Sequence, residues 1–161
     1  MIRPYDPETD REGLWELKTR FELGLGSETG GDEKQEKYEA KLTDDYRERY
    51  LAWVARCGDS DERCMTVAVE EGELVGYVFV LPETMSMIWD AAVLNEIFVA
   101  AEYRGTGVAD ELMEGALALA RDQNLPLNRI VLDVDGDNAR AMAFYDRHEF
   151  AHWGELVCRE L

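Results

Sequence analysis

Apolar residues recur through the first third of the chain at intervals of three and four, the period of a helix buried along one face. Leu14, Leu17, Phe21 and Leu25 share such a face, and Asp6-Pro7 ahead of them reads as an N-cap followed by proline at the first helical position. Gly24, Gly26, Gly30 and Gly31 are expected to end this helix, and residues 27–36 are the segment best suited to disorder or to a lid. Tyr38, Leu42, Tyr46, Tyr50 and Trp53 keep the same spacing and predict a second helix over about 34–56, bent near Thr43. An aromatic stripe of this kind is more often core than a binding surface, although it can also border a substrate groove.

The period then shortens to two. Residues 1–5 read as a short extended piece, and residues 64–69 and 74–81 as strands joined by the hairpin signal Glu71-Gly72-Glu73, which should pair antiparallel. The loop over 82–89 carries Met85, Met87 and Ile88, a set that suits packing or a substrate-facing surface. Residues 92–99 form the next strand and feed a glycine turn. Beyond it Val108, Leu112, Ala116 and Leu119 make a helical stripe, with Arg121 placed to complement the helix dipole. Residues 129–134 read as a short strand buried on both faces, so the strand–helix–strand unit should be a right-handed crossover with parallel strands. Asp135-Gly136-Asp137-Asn138 ends in an N-cap, and the helix it starts carries Ala141, Phe144, Tyr145 and His148 along one face. Residues 150–161 alternate around Leu156 and Cys158 and are expected to supply a closing strand. The order gives one α+β domain over residues 1–161, a mixed sheet that is mostly antiparallel with one parallel pair and about four helices.

Composition narrows the function classes. A chain of 161 residues can bury a sizeable core in one domain. Its longest apolar run, residues 74–81, is far too short to cross a bilayer, and the N-terminus lacks the basic and apolar regions of a signal peptide, so a soluble cytoplasmic protein is expected. Cys57, Cys64 and Cys158 are odd in number and scattered, which predicts buried reduced thiols rather than a disulfide framework. No cluster has metal-ligand spacing, and no metal is expected. With 35 acidic against 17 basic residues and a net charge of −18, the surface repels nucleic acid and anionic membranes, and neither is an expected partner. The same charge suits a medium of high salt, where the screening length falls to about 3 Å at 1 M.

The candidate chemistry sits at Glu102-Tyr103-Arg104-Gly105-Thr106-Gly107, between the strand over 94–99 and a helix opening at Val108 or Ala109. Glycines there let the backbone approach a ligand, and a helix N-terminus presents unpaired amide hydrogens, so the turn is an anion cradle. A nucleoside-triphosphate loop requires lysine and then Ser or Thr after its last glycine, whereas Val108-Ala109 follow Gly107. A dinucleotide fingerprint requires a small residue where Asp110 stands and begins directly after its strand, while residues 100–104 intervene here.

The strand Leu94-Asn95-Glu96-Ile97-Phe98-Val99, the turn with its helix, and the distal run from Asn138 through Tyr145 to Phe150 together resemble the GNAT superfamily of acyl-CoA N-acyltransferases, in element order over essentially the whole chain. The resemblance implies that Arg104, Gly105, Thr106, Gly107, Val108 and Ala109 hold the pyrophosphate of acetyl-CoA, with Phe98 and Val99 along the pantetheine arm and Asn138 against it. Tyr145 matches the tyrosine that protonates the leaving thiolate, a role that suits a phenol with an ordinary pKa of about 10. A backbone amide of the strand at Phe98 and Val99 would receive the oxyanion, and Glu96 is the candidate base, directly or through water. Strand alternation sends Asn95 and Glu96 to opposite faces, so one of them faces the substrate unless a bulge intervenes. His148 is expected to pack or to cap its helix. Two departures from the family pattern stand out: Glu102 where Gln or Arg is usual, and Glu149 where glycine usually ends the last helix. The implied activity is acetyl transfer to a primary amine within a ternary complex, with a small-molecule or peptide amine as acceptor and a homodimer as an option. The alternative is a non-catalytic acyl-CoA-binding or sensor domain of the same fold.

Overall fold

The computed structural model describes the backbone of residues 1–28 and 31–161, and the side chains of residues 1–24 and 33–161. Five strands form one sheet in the order β1-β2-β3-β4-β5: β1 (Ile2–Pro4), β2 (Met65–Glu70), β3 (Glu73–Val80), β4 (Ala92–Val99) and β5 (Ile130–Val131). Neighbours pair antiparallel except β4 and β5, which are parallel and joined through the helix α4 (Val108–Asp122). The remaining helices are α1 (Arg11–Glu28), α2 (Gly31–Lys41), α3 (Asp44–Ser60) and α5 (Ala139–Arg147). The mixed, mostly antiparallel sheet is the one expected. The helix expected over 34–56 is instead two helices, because the Thr43 hydroxyl accepts the Tyr46 amide at 3.1 Å and starts α3 afresh.

Helix α1 begins later and ends later than its punctuation suggests. Residues 6–10 form a turn in which the Asp10 amide donates to the Asp6 carbonyl at 2.8 Å. The buried Asp10 carboxylate receives both terminal nitrogens of Arg3 on β1, at 2.5 and 2.8 Å. At the other end α1 runs through Gly24 and Gly26 to Glu28; a glycine costs a helix only about 1 kcal/mol, which the buried Leu14 and Leu17 outweigh. Thr29 and Gly30 lie outside the described residues, and residues 31–36, expected to be disordered or a lid, are the first part of α2.

The two faces of β3 bury different layers. Tyr77 and Phe79 meet Phe21 of α1 and Trp53 of α3, with ring centroids 6.5 and 4.9 Å apart. Gly76 turns the other way, where an added Cβ would lie 2.9 Å from the Phe98 carbonyl and 3.3 Å from Leu112 of α4. The β2–β3 hairpin closes in two residues, Glu71 at φ 52° and Gly72 at φ 87°, both in the left-handed region that a type I′ turn requires. Between Phe79 and Val80 the β3–β4 register slips by one: Phe79 lies opposite Glu96, and Val80 opposite Leu94. Asn95 is therefore the extra residue of a β-bulge.

Toward the C-terminus the structure departs from expectation. The strand read over 129–134 as buried on both faces is reduced to Ile130 and Val131, both half-buried, because β5 pairs only with the start of β4. No strand forms over 150–161, and residues 151–161 are exposed: the outer edge of so short a β5 offers little ladder to join. Trp153 instead lies over the Arg129 guanidinium, 4.0 Å from ring centroid to charge, and Glu160 pairs with Lys37. Cys57 and Cys64 are buried free thiols, and burial pushes the Cys64 thiol up to about 12; Cys158 is exposed, against expectation. The apolar loop residues Met87, Ile88 and Trp89 are also exposed. Among the described residues no helix is long and apolar enough to cross a membrane.

Candidate active site

After β4 a short 3-10 turn, Ala101–Tyr103, delivers the chain to the glycine turn. Gly105 (φ 77°) and Gly107 (φ 93°) are both left-handed, a conformation that strains any other residue, and Gly107 caps α4 with no side-chain hydrogen bond. Glu111 takes the Gly107 carbonyl at 3.1 Å, so it is the first residue of α4 with a helical acceptor. The amide hydrogens of Val108, Ala109 and Asp110 have none and form the cradle. The Thr106 hydroxyl donates to the Tyr103 carbonyl at 2.5 Å, which folds the turn onto itself. Arg104 reaches back, its Nε donating to the Val99 carbonyl at 3.3 Å and its guanidinium 6.0 Å from the Phe98 ring. Glu102, the departure from the family pattern, pairs with Arg20 of α1 at 2.9 Å.

Beside this turn the sheet is open. Strands β4 and β5 pair only at Ala92 with Ile130 and Val93 with Val131, then part. The Ala100 amide donates to the Val75 carbonyl at 2.9 Å, and antiparallel alternation then turns the main chain of Phe98 toward β3 and that of Ile97 and Val99 toward the gap. The gap thus offers a line of backbone donors and acceptors ending at the amide cradle. An amide-bearing chain that terminates in a diphosphate matches both halves.

Helix α5 follows β5, with Phe144 and Tyr145 packed against the core. Asn138 starts it, its Oδ1 accepting the Ala141 amide at 3.1 Å, so the residue is an N-cap as well as a candidate contact. Asp110 in the first turn of α4 binds the far end of α5, with Arg147 at 2.6 Å and His148 Nε2 at 2.7 Å. Burial pushes the Asp110 carboxyl up, but the His148 and Arg147 hydrogen bonds outweigh it and hold the group below the usual carboxylate range. This tie fixes α5 against the mouth of the cradle. Tyr145 lies on it between Phe144 and Phe150, ring centroids 5.5 and 5.6 Å away. Burial pushes its phenol up to about 12, and among the described residues the hydroxyl has no hydrogen-bond partner.

A profile of the Acetyltransferase (GNAT) family matches residues 28–150. The chain belongs to the GNAT family. The 5-NmdU N-acetyltransferase of Pseudomonas phage PaMx11 is 36% identical to it over 91 residues, 56% of this chain and 59% of that one. N-acetyltransferase 8 of Homo sapiens is 32% identical over 93 residues, 57% of this chain and 40% of its own. The matched segment thus spans about half the length of these relatives. The PaiA N-acetyltransferase of Thermoplasma acidophilum, solved in complex with coenzyme A, shares the fold at a TM-score of 0.73 and 19% identity, over 92% of this chain and 87% of that one.

In this GNAT chain Asp110 joins the first turn of α4 to the end of α5, whereas Glu96 takes no part in that contact. The bulge turns its side chain to the face covered by α1 and α3, where it is 6% exposed. One oxygen accepts from Lys18 Nζ at 3.0 Å and Asn95 at 3.2 Å, the other from the hydroxyls of Tyr77 at 2.7 Å and Tyr50 at 3.2 Å. Lys18 also binds Glu22 at 2.5 Å, and Glu22 binds Lys41 at 2.7 Å. Burial pulls the Lys18 ammonium down, yet the charges of Glu96 and Glu22 prevail and push it up to about 12. Sequence reasoning missed this network. Its signal was there: Lys18 and Glu22 are an i,i+4 pair of opposite charge set inside the apolar face of α1. An open groove of about 400 Å³ between Trp53, Cys57, Pro82 and Met85 shares none of these groups.

Proposed function

We propose that this chain is an acetyl-CoA-dependent N-acetyltransferase acting on a primary amine by direct transfer. The observation that carries the reading is the continuity of three unpaired α4 amides with the β4 edge at Ile97 and the Val99 amide. The cradle residues Arg104 to Ala109 would hold the diphosphate, with Phe98, Val99 and Asn138 along the arm. The amine nitrogen attacks the thioester carbonyl carbon, the oxyanion rests on the Val99 amide, and the C–S bond breaks as the Tyr145 phenol protonates the sulfur. The proton leaving the amine passes to Glu96, directly or through water. That step is the most exposed to test, because four donors already occupy the two carboxylate oxygens. The acceptor is a small-molecule or peptide amine.

The occupied state of Glu96 also favours a second reading, an acyl-CoA-binding or sensor domain without turnover. Thiol release from acetyl-CoA, followed across a panel of aliphatic amines, amino acids and peptides, separates the two. Acceptor-dependent release establishes the transferase; CoA binding without release from any acceptor establishes the sensor.

A further inference from the structure

Glu22 lies on α1 with its side chain 2% exposed, yet its second oxygen is reached from outside by Lys41, whose side chain is 36% exposed. The Lys41 ammonium stands 2.7 Å from that oxygen, 5.0 Å from the Tyr38 ring centroid and 5.2 Å from that of Tyr46. A carboxylate with two aromatic faces is the recognition set for an alkylammonium group. It is assembled from three helices, α1, α2 and α3, and its occupant is the last residue of α2, next to the break at Leu42 and Thr43. The seat is not isolated: the other Glu22 oxygen holds Lys18, and Lys18 holds Glu96 at the β4 bulge. A cation at the Lys41 position is therefore linked to β4 through three successive ion pairs, Lys41–Glu22, Glu22–Lys18 and Lys18–Glu96.

We propose that this seat receives a second ammonium group carried by the amine acceptor, and that Lys41 fills it when no acceptor is bound. The acceptor class is then an aliphatic diamine or polyamine, with one cation between Tyr38 and Tyr46 beside Glu22 and the other amine at the β4 gap. The inference rests on the acetyl-transfer reading for the second amine, while the seat itself is a matter of binding. Its logic is charge balance. With Lys41 withdrawn, a buried carboxylate faces the opening with Lys18 as its one remaining cation among the described residues, and a ligand cation restores the pairing. A net charge of −18 also raises the local concentration of cations.

Calorimetry with putrescine and no acetyl-CoA tests the seat. Lys41→Ala should bind putrescine about tenfold tighter than the unmodified chain, the scale of one desolvated cation–aromatic contact. Lys41→Arg, which keeps an occupant, should not gain, and adding Tyr38→Leu to Lys41→Ala should abolish the gain. Equal putrescine affinity in the Ala, Arg and unmodified chains overturns the proposal. With acetyl-CoA present, putrescine should exceed n-butylamine in kcat/KM by about tenfold through the same contact; equal values overturn it as well. Tight putrescine binding without CoA release leaves the seat standing and overturns the transfer reading instead.

Discussion

Tyr145 and Lys18 show how burial sets the work of single side chains in opposite ways. With its phenol pushed up to about 12, Tyr145 stays protonated through the neutral range, and its capacity to donate is lost only as pH rises toward that value. Its burial as a neutral group adds stability that is complete below 10 and lost between 10 and about 12, since an ionised phenol prefers the unfolded chain. Turnover should accordingly show no alkaline fall attributable to Tyr145 below about pH 11, one unit under that pKa. Tyr145→Phe should lower kcat by about 10²- to 10⁴-fold with CoA affinity retained, the usual weight of a general acid. Undiminished turnover in the Phe variant would remove Tyr145 from the reaction. Lys18 carries its charge inward for structure. Lys18→Met would leave Glu22 and Glu96 facing each other in the core, and urea unfolding should record a loss of about 3–5 kcal/mol. A loss under about 1 kcal/mol, the range of a surface pair, would mean that the network relaxes around the change. The helix that carries Tyr145 was legible because its apolar residues share one face and Asn138 caps its start. The network around Lys18 was not, because beyond Glu22 its members come from α2, α3, β3 and β4.

At the scale of elements, capping decided what could be read. The strand β4 and the helix α4 stand where the sequence put them, since a long apolar alternation and a glycine turn leave little choice. Where the signal was punctuation alone, packing overrode it: glycines did not stop α1, and a threonine divided one expected helix into two. The end of α5 is instructive. Glu149 sits at φ 65°, with its amide on the Asp146 carbonyl and that of Phe150 on the Tyr145 carbonyl, a Schellman closure built without glycine. Glu149→Gly should therefore raise stability by about 0.5–1 kcal/mol, the left-handed strain outweighing the added freedom of the unfolded chain. For a domain of this size that is a rise of about 1 to 4 °C in thermal midpoint. A lower midpoint would place the cost of the turn elsewhere.

Across the whole molecule, charge and sheet geometry set the conditions under which the site exists. The ion pairs described are mostly at the surface and contribute little each, while the net charge of −18 repels itself throughout. Raising salt from dilute buffer to 1 M shortens the screening length to about 3 Å and should raise the unfolding midpoint. An unchanged or lower midpoint would separate the acidic composition from salt tolerance. The mixed sheet was legible from element order, but its C-terminal edge was not, because a strand forms only where a neighbour has ladder to offer. The bulge at Asn95 gives that geometry its last consequence, which is one of parity. Leu94 and Glu96 are two residues apart and ought to share a face, yet Leu94 lies opposite Val80 and Glu96 opposite Phe79, on opposite sides of the sheet. A chain lacking Asn95 would restore even counting: every residue of β4 before the bulge would exchange inside for outside relative to those after it. The acidic group at the heart of the buried network and the open backbone edge beside it thus depend on a single odd number in the strand.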